Sequence, residues 1–298
     1  MVVPAPFARP SRDGSGARGG ILRRVLAVLY LAGVPLLAIA GLAWLGRVEL
    51  GSGLSGVGRG TLALWRLVST PGGRWLGLGL GGVLALASIQ ARWDPDLTAR
   101  LGRDWTPLVR ALEGDLPAAM QSLTPEPVLW LLAAMYLLGL PLCIALPLLW
   151  WGGSGRHRPA AGITLALLAN YLLALPFYVF APVSEPAWSG LSQALPALEL
   201  FAAGLTPDLR FASALDNCFP SLHVSIAFTA WWYARRAGPR LLARILLLHL
   251  VALLWAVPAL GVHWVTDALF GLAFGALCAA AAERALFAYE DPGHGLAP

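Results

Sequence analysis

A bundle of six membrane-spanning helices, with amphipathic helices on its extracytoplasmic side, is the fold class this sequence predicts; seven spans is the alternative. Three observations predict it. Apolar residues make up 58% of the chain and charged residues 12%, with a mean hydropathy of +0.68, the composition of an all-α integral membrane protein rather than a soluble domain. The apolar residues gather in runs long enough to cross a hydrocarbon core of about 30 Å. Several of the 13 Trp residues stand near the ends of those runs (Trp44, Trp130, Trp150, Trp151, Trp231, Trp232), where an amphipathic ring settles among headgroups.

Residues 1–20 are rich in Pro, Gly, Ser and Arg and are expected to form a disordered cytoplasmic tail. A first span follows at 25–45. Arg23 and Arg24 before it and Ala38-Ile39-Ala40 near its end imitate a signal peptide, but its apolar length and the later spans favour an uncleaved anchor. Between 46 and 127 the pattern is weakest. Residues 75–89 are apolar, short and Gly-rich, near the lower limit for a span, and read as re-entrant or interfacial. Residues 96–123 mix charges with apolar residues at helical spacing (Leu97, Leu101, Trp105, Leu108, Leu112) and predict one amphipathic surface helix. Glu113 and Asp115 could then reach the active face, although a solvated helix end is the expected reading. Further spans are predicted at 128–151, 160–180, 222–234, 241–260 and 264–287. Residues 21–290 read as one membrane-embedded domain, followed by a tail at 291–298.

The Arg156-His157-Arg158 loop and the turn at 235–244 are short and basic, which marks them as cytoplasmic. Residues 182–220 and 261–263 then lie outside. The basic N-terminus is also expected inside, which requires an even number of spans before Pro159; 25–45 and 128–151 supply two. The expected location is a bacterial cytoplasmic membrane. The net charge of +5 is carried by Arg alone, for the chain has no Lys. No dense basic cluster with interleaved aromatics occurs in a soluble segment, which argues against a nucleic-acid partner. Cys143 and Cys278 fall in spans and only Cys218 near a surface, so no disulfide framework is implied.

Two polar islands interrupt the apolar half of the chain. One is Asp216-Asn217-Cys218-Phe219-Pro220-Ser221-Leu222-His223 and the other Gly261-Val262-His263-Trp264-Val265-Thr266-Asp267. Ionisable groups at the edge of a span are costly unless they have a function. His263 and Asp267 are four apart at the start of a helical run, so they share a face, and the carboxylate can orient the imidazole and stabilise its cation. Pro220 suits a first helical turn, with Asp216 or Asn217 as cap. His223 then lies where backbone N–H groups and the helix dipole favour an anion such as phosphate. The spans between the islands form one hairpin, so both islands end on one face. Two histidines, a carboxylate and a helix N-terminus together point to phosphoryl transfer.

Pro220-Ser221-Leu222-His223 followed by His263-x-x-x-Asp267 resembles the second and third motifs of the type-2 phosphatidic acid phosphatase superfamily. The Leu between Ser and His resembles the inositol phosphorylceramide synthase branch, since the plain lipid phosphatases usually carry Gly there. A Pro-rich, Trp-containing segment at 182–188 is also similar to that branch. The resemblance covers about residues 159–286, so 159–287 is the expected catalytic half. It implies that His263 is the nucleophile, that Asp267 orients it, and that His223 protonates the leaving oxygen and then activates the acceptor. It further implies a lipid phosphate or phospholipid as substrate, a polyol such as inositol as possible acceptor, and no cofactor.

The sequence departs from the family in two places. The phosphatases carry a Lys-x6-Arg-Pro motif that a chain without Lys lacks. They also carry Ser-Arg six to seven residues before the third-motif His, where Ala256 and Val257 stand here. Arg210 is the remaining candidate cation, with Ser221, Tyr178, Tyr171 and Asn170 as candidate hydrogen-bond donors to phosphate. The segment 201–211 is expected to lie over the site.

Competing readings were weighed on the same residues. Two His and one Asp can bind zinc, but no third nitrogen or sulfur ligand adjoins them, Cys218 being the only spare donor, so no metal is expected. Ser221 lacks the Gly-x-Ser-x-Gly elbow of a nucleophilic serine. His249, alone in mid-span, reads as a helix–helix hydrogen-bonding residue, and His157 and His294 as solvated. The resemblance equally admits a lipid phosphatase that passes the group of a phosphatidic acid-like or polyprenyl phosphate or diphosphate to water, and a non-catalytic transporter or scaffold of the same fold is the reading from another class.

Overall fold

In lipid every backbone N–H and C=O must be satisfied within the chain, so long apolar runs become helices. A computed structural model describes residues 17–71, 100–198 and 217–289, with scattered positions between 73 and 85. It is all-helical, with 80% helix and no strand among the described residues. The helices are α1 (Ala17–Leu50), α2 (Gly53–Ser69), α3 (Thr106–Glu113), α4 (Leu116–Ser122), α5 (Glu126–Ser154), α6 (His157–Phe180), α7 (Leu222–Ala237), α8 (Arg240–Ala259) and α9 (Val265–Tyr289).

Among the described residues, five helices are long and apolar enough to cross a membrane: Gly33–Leu50 of α1, all of α5, α6 and α8, and Val265–Leu286 of α9. These features make the protein an integral membrane protein. Their outward side chains include Leu36, Leu131, Leu248, Val251 and Leu277, all well exposed, as suits helices facing acyl chains. The predicted span at 222–234 corresponds to α7, which has 16 residues and a length of about 24 Å. It is shorter than the rest and lies innermost, packed against α5, α6, α8 and α9.

Close packing of α7 on α9 follows from two small residues one turn apart. A Cβ at Gly271 would come within 2.7 Å of the Ser221 carbonyl oxygen, and one at Gly275 within 2.5 Å of that of Ser225. Small residues at such spacing let two backbones approach in the absence of a hydrophobic driving force. The first turn of α7 is thereby pressed against the first two turns of α9, which brings the two islands together.

At the opposite end, arginines close the bundle. Arg156 Nη1 and Trp151 Nε1 both donate to the Ala237 carbonyl, at 2.5 and 3.1 Å. Arg66 Nη1 donates to Gly152 O at 2.8 Å. Arg236 pairs with Glu283 at 2.6 Å, and Trp232 Nε1 bonds the same carboxylate.

The region between the first two long helices differs from expectation. Helix α2 was not foreseen, because residues 51–60 are Gly- and Ser-rich; the small side chains let α2 cross tightly over α1 and pack against α5. Of the single amphipathic helix expected at 96–123, residues 96–99 lie outside the described residues, and from 102 on it is broken, with two short helices over 106–122. Pro107 and Pro117 sit in their first turns, and Gly114, at φ +68°, ends the first. Most of 75–89, all of 86–99 and the segment 201–211 lie outside the described residues.

Candidate active site

Helix α7 starts at Leu222 with Ser221 as N-cap, one residue later than Pro220 suggested. Asn217 does not cap it, and Asp216 lies outside the described residues. Asn217 instead pairs with Val183 in an isolated bridge, and Cys218 N donates to Val183 O at 3.1 Å. The cap Ser makes no side-chain bond to its helix. Its Oγ is fully buried and without a hydrogen-bond partner. His223 occupies the second helical position, where first-turn N–H groups have no intrahelical acceptor.

The second island begins with a helix C-terminus. Val262 N donates to Val257 O at 3.2 Å and Gly261 N to Pro258 O at 2.9 Å, the paired bonds of a Schellman motif with Gly261 at φ +74°. A side chain there would also meet the Leu195 carbonyl at 2.6 Å, so glycine is required twice over. His263 N bonds the same Val257 carbonyl at 3.1 Å, which folds the histidine back over the end of α8. The chain then turns into α9 at Val265.

His263 therefore precedes the helix, while Asp267 lies in its first turn. Asp267 Oδ2 accepts from Trp264 N at 2.9 Å, the half of a capping box made by an N3 carboxylate. The same oxygen stands 3.7 Å from His263 Nδ1, an ion-pair distance longer than a hydrogen bond. Asp267 is wholly buried and His263 nearly so. A carboxylate in that position is stabilised by the cap N–H, the helix dipole and an adjacent imidazolium.

Glu113 completes this helix start from far away in the sequence. Its carboxylate accepts from Val265 N at 2.9 Å and Thr266 N at 2.6 Å. The expectation of a solvated helix end is thus corrected: Glu113 caps α9 from α3. Asp115 is likewise engaged, accepting from Ser192 Oγ at 2.5 Å and Gln193 N at 3.0 Å. Gln121 of α4 donates to Leu195 O and Ala259 O, both at 2.9 Å. The segment 182–188 straps the islands together, as Ala187 N bonds Gly261 O and Trp264 Nε1 bonds Ser184 O.

The imidazoles of His223 and His263 come to 6.3 Å between ring centroids, inclined by 60°. Tyr136 of α5 stacks on His223 at 4.0 Å and 18°. It escaped the sequence reading; its only signal was a phenol inside an apolar run. Tyr178 donates to Pro220 O at 3.3 Å, under the first island, and Tyr171 is buried one helical stretch away on α6. Asn170 sits deeper. Its amide donates to Ala166 O and Thr229 Oγ1 and accepts from the Ser225 hydroxyl, so its capacity is used between helices. Arg210 lies outside the described residues. Cys218, expected near a surface, is buried at 1% exposure. His249 is buried too, but its Nε2 has no hydrogen-bond partner, unlike the interhelical bond expected of it.

A helical membrane protein with one buried and one partly buried imidazole, a paired carboxylate and an uncapped helix N-terminus at one end has the makings of a phosphate-handling site. The chain matches the family model of the PAP2 superfamily over residues 107–281, more than half its length, and belongs to that superfamily. Membership makes it a lipid enzyme of phosphatase or phosphotransferase type. No curated protein and no solved structure matches it.

Proposed function

We propose that the protein transfers a phosphoryl or phospho-alcohol group of a lipid through a phospho-histidine at His263, and that it resembles inositol phosphorylceramide synthase in handing the group to an organic hydroxyl. One observation carries the reading: two imidazoles 6.3 Å apart, one beside a buried carboxylate and the other on the first turn of α7. That gap suits a single phosphoryl group.

In the first step a nitrogen of His263 attacks phosphorus, and the bond from phosphorus to the lipid oxygen breaks. His223, protonated, delivers its proton to that oxygen. In the second step His223 takes the proton of the acceptor hydroxyl, whose oxygen attacks phosphorus as the nitrogen–phosphorus bond breaks. Division through a covalent intermediate replaces one hard displacement with two easier ones, and an imidazole suits both proton transfers. The unpaired Ser221 hydroxyl and the first-turn amides of α7 would hold the phosphoryl oxygens, with Arg210 and Tyr178 nearby in sequence order or fold, and no metal takes part in either step.

The topology belongs to the same proposal. The basic ends at Arg156 and Arg235–Arg236 lie in the cytoplasm and the islands outside a bacterial cytoplasmic membrane; because Glu49 at the end of α1 accepts from Leu241 N at the basic end, the seven-span alternative with the N-terminus outside is favoured over six. A phosphatase using water as acceptor is the second reading, favoured by the superfamily's usual substrates. The test is to incubate purified protein with lipids labelled in the phosphate, with and without inositol. An acid-labile labelled protein that His263→Ala fails to form, together with a labelled inositol product, is expected. Free phosphate as the sole product under every condition removes the transferase; no labelled protein at all removes the intermediate.

A further inference from the structure

The fold carries Cys218, the one spare donor of the first island, to the histidine–carboxylate pair. Cys218 Sγ, a His263 ring nitrogen and an Asp267 carboxylate oxygen all lie within 4.8 Å of one another. Cys218 is brought there by its backbone bond to Val183 and by the contact of its thiol with Val262 O at 3.2 Å. All three residues are more than nine-tenths buried. A second, independent feature points to a ligand: His263 Nδ1 and Asp267 Oδ1 are buried polar atoms with no hydrogen-bond partner, and leaving such atoms unmatched is costly.

The donor set identifies the class of ligand. Sulfur, imidazole nitrogen and carboxylate oxygen together suit Zn2+ and similar thiophilic cations, whereas Mg2+ and Ca2+ favour oxygen alone. Tetrahedral Zn2+, with bonds of about 2.0–2.3 Å, holds its ligand atoms about 3.3–3.8 Å apart. A side-chain adjustment of about 1 Å therefore closes the set.

We propose that Cys218, His263 and Asp267 form a binding site for a thiophilic divalent cation of the Zn2+ class, and that cation binding and phosphoryl transfer exclude each other. On binding, the thiol proton of Cys218 leaves to solvent and sulfur, nitrogen and oxygen each donate a lone pair to the metal. A metal on either ring nitrogen of His263 withdraws electron density from the other and takes over the carboxylate that orients it. The exclusion rests on the phospho-histidine reading; the site itself does not.

The experiment uses the full chain in detergent, stripped with a chelator, then equilibrated with Zn2+ or Mg2+ and assayed for bound metal per chain. One Zn2+ per chain and no Mg2+ are expected, with affinity falling at least about 100-fold in Cys218→Ser; Cys278→Ala serves as the control that keeps it. Equal Zn2+ binding in wild type and Cys218→Ser, or none in wild type, overturns the site. Should Cys218→Ser fail to fold, X-ray absorption of the wild-type Zn2+ complex decides: a sulfur neighbour at about 2.3 Å supports the site, and a shell of nitrogen and oxygen alone overturns it. For the exclusion, Zn2+ affinity is remeasured with orthovanadate, a phosphoryl mimic. At least a tenfold weakening is expected. If vanadate binds and Zn2+ affinity is unchanged or rises, the exclusion falls. If vanadate does not bind at all while Zn2+ binds through Cys218, the site stands and the phospho-histidine reading fails.

Discussion

At one end of α7 the Ala237 carbonyl accepts from both Arg156 and Trp151, and Arg236 closes on Glu283. At the other end Glu113 and Asp267 cap the start of α9, yet four buried polar atoms of the two islands, on Asn217, Ser221, His263 and Asp267, remain without partners. Among the described residues the basic end keeps one such atom, the Tyr233 hydroxyl; the acidic end is held in place by its neighbours but keeps four. A buried polar atom left unbonded costs about 1–3 kcal/mol, so several at one end are costly unless something outside the chain meets them. The contrast separates residues that hold the bundle from residues that act.

The comparison is broken or sharpened most by the histidine itself. His263→Ala is expected to lower turnover by about 10^4-fold or more while the variant elutes as a folded, monodisperse protein; activity within tenfold of wild type removes the acidic end from the chemistry. Next comes Asp267→Asn, which keeps an acceptor for Trp264 N but loses the charge beside His263. A fall of about 10^3-fold in kcat, with KM little changed, is expected from the loss of the orienting carboxylate.

Glu113→Ala removes two bonds to the first turn of α9, a loss of about 1–2 kcal/mol that thermal unfolding in detergent measures directly. Turnover should drop about tenfold with it, because the His263–Asp267 corner is seated on that turn. Tyr136→Ala is expected to cost about tenfold in kcat through loss of the stacked ring, and Tyr136→Phe to restore most of it; if Phe is as poor as Ala, the hydroxyl rather than the ring is what matters. The smallest effect belongs to the basic end. Arg236→Gln breaks a half-exposed ion pair, for which about 0–1 kcal/mol of stability and unchanged turnover are expected. A large loss of activity there would erase the division between the two ends.

Much of this was legible from local pattern. The long helices α5, α6, α8 and α9 follow apolar runs, and the short hairpin between the islands dictates that His223 approaches His263 and Asp267. Gly261 announces a helix end and Asp267 a helix start. What stayed hidden depends on residues remote in sequence. Glu113 bonds Val265 across 152 positions, and a carboxylate at the end of an amphipathic stretch looks the same whether solvated or serving another helix. Tyr136 reaches His223 from α5, which contributes no polar motif. Cys218 reads only as lying near a membrane surface; that Val183 of the strap covers it depends on a segment more than thirty residues away. Helix α2 was hidden by glycines that read as loop until α1 lies against them.

The length of α7 has one more consequence. It has 16 residues against 20 in α8, and the two are joined by Gly238 and Pro239 alone, so their near ends are level. The difference of four residues, about 6 Å, falls entirely at the end bearing His223. That step is filled by chain rather than left open: Cys218, Ser221 and Trp264 are all buried there, so the end of the bundle bearing His223 is roofed by the two islands instead of by a further helical turn.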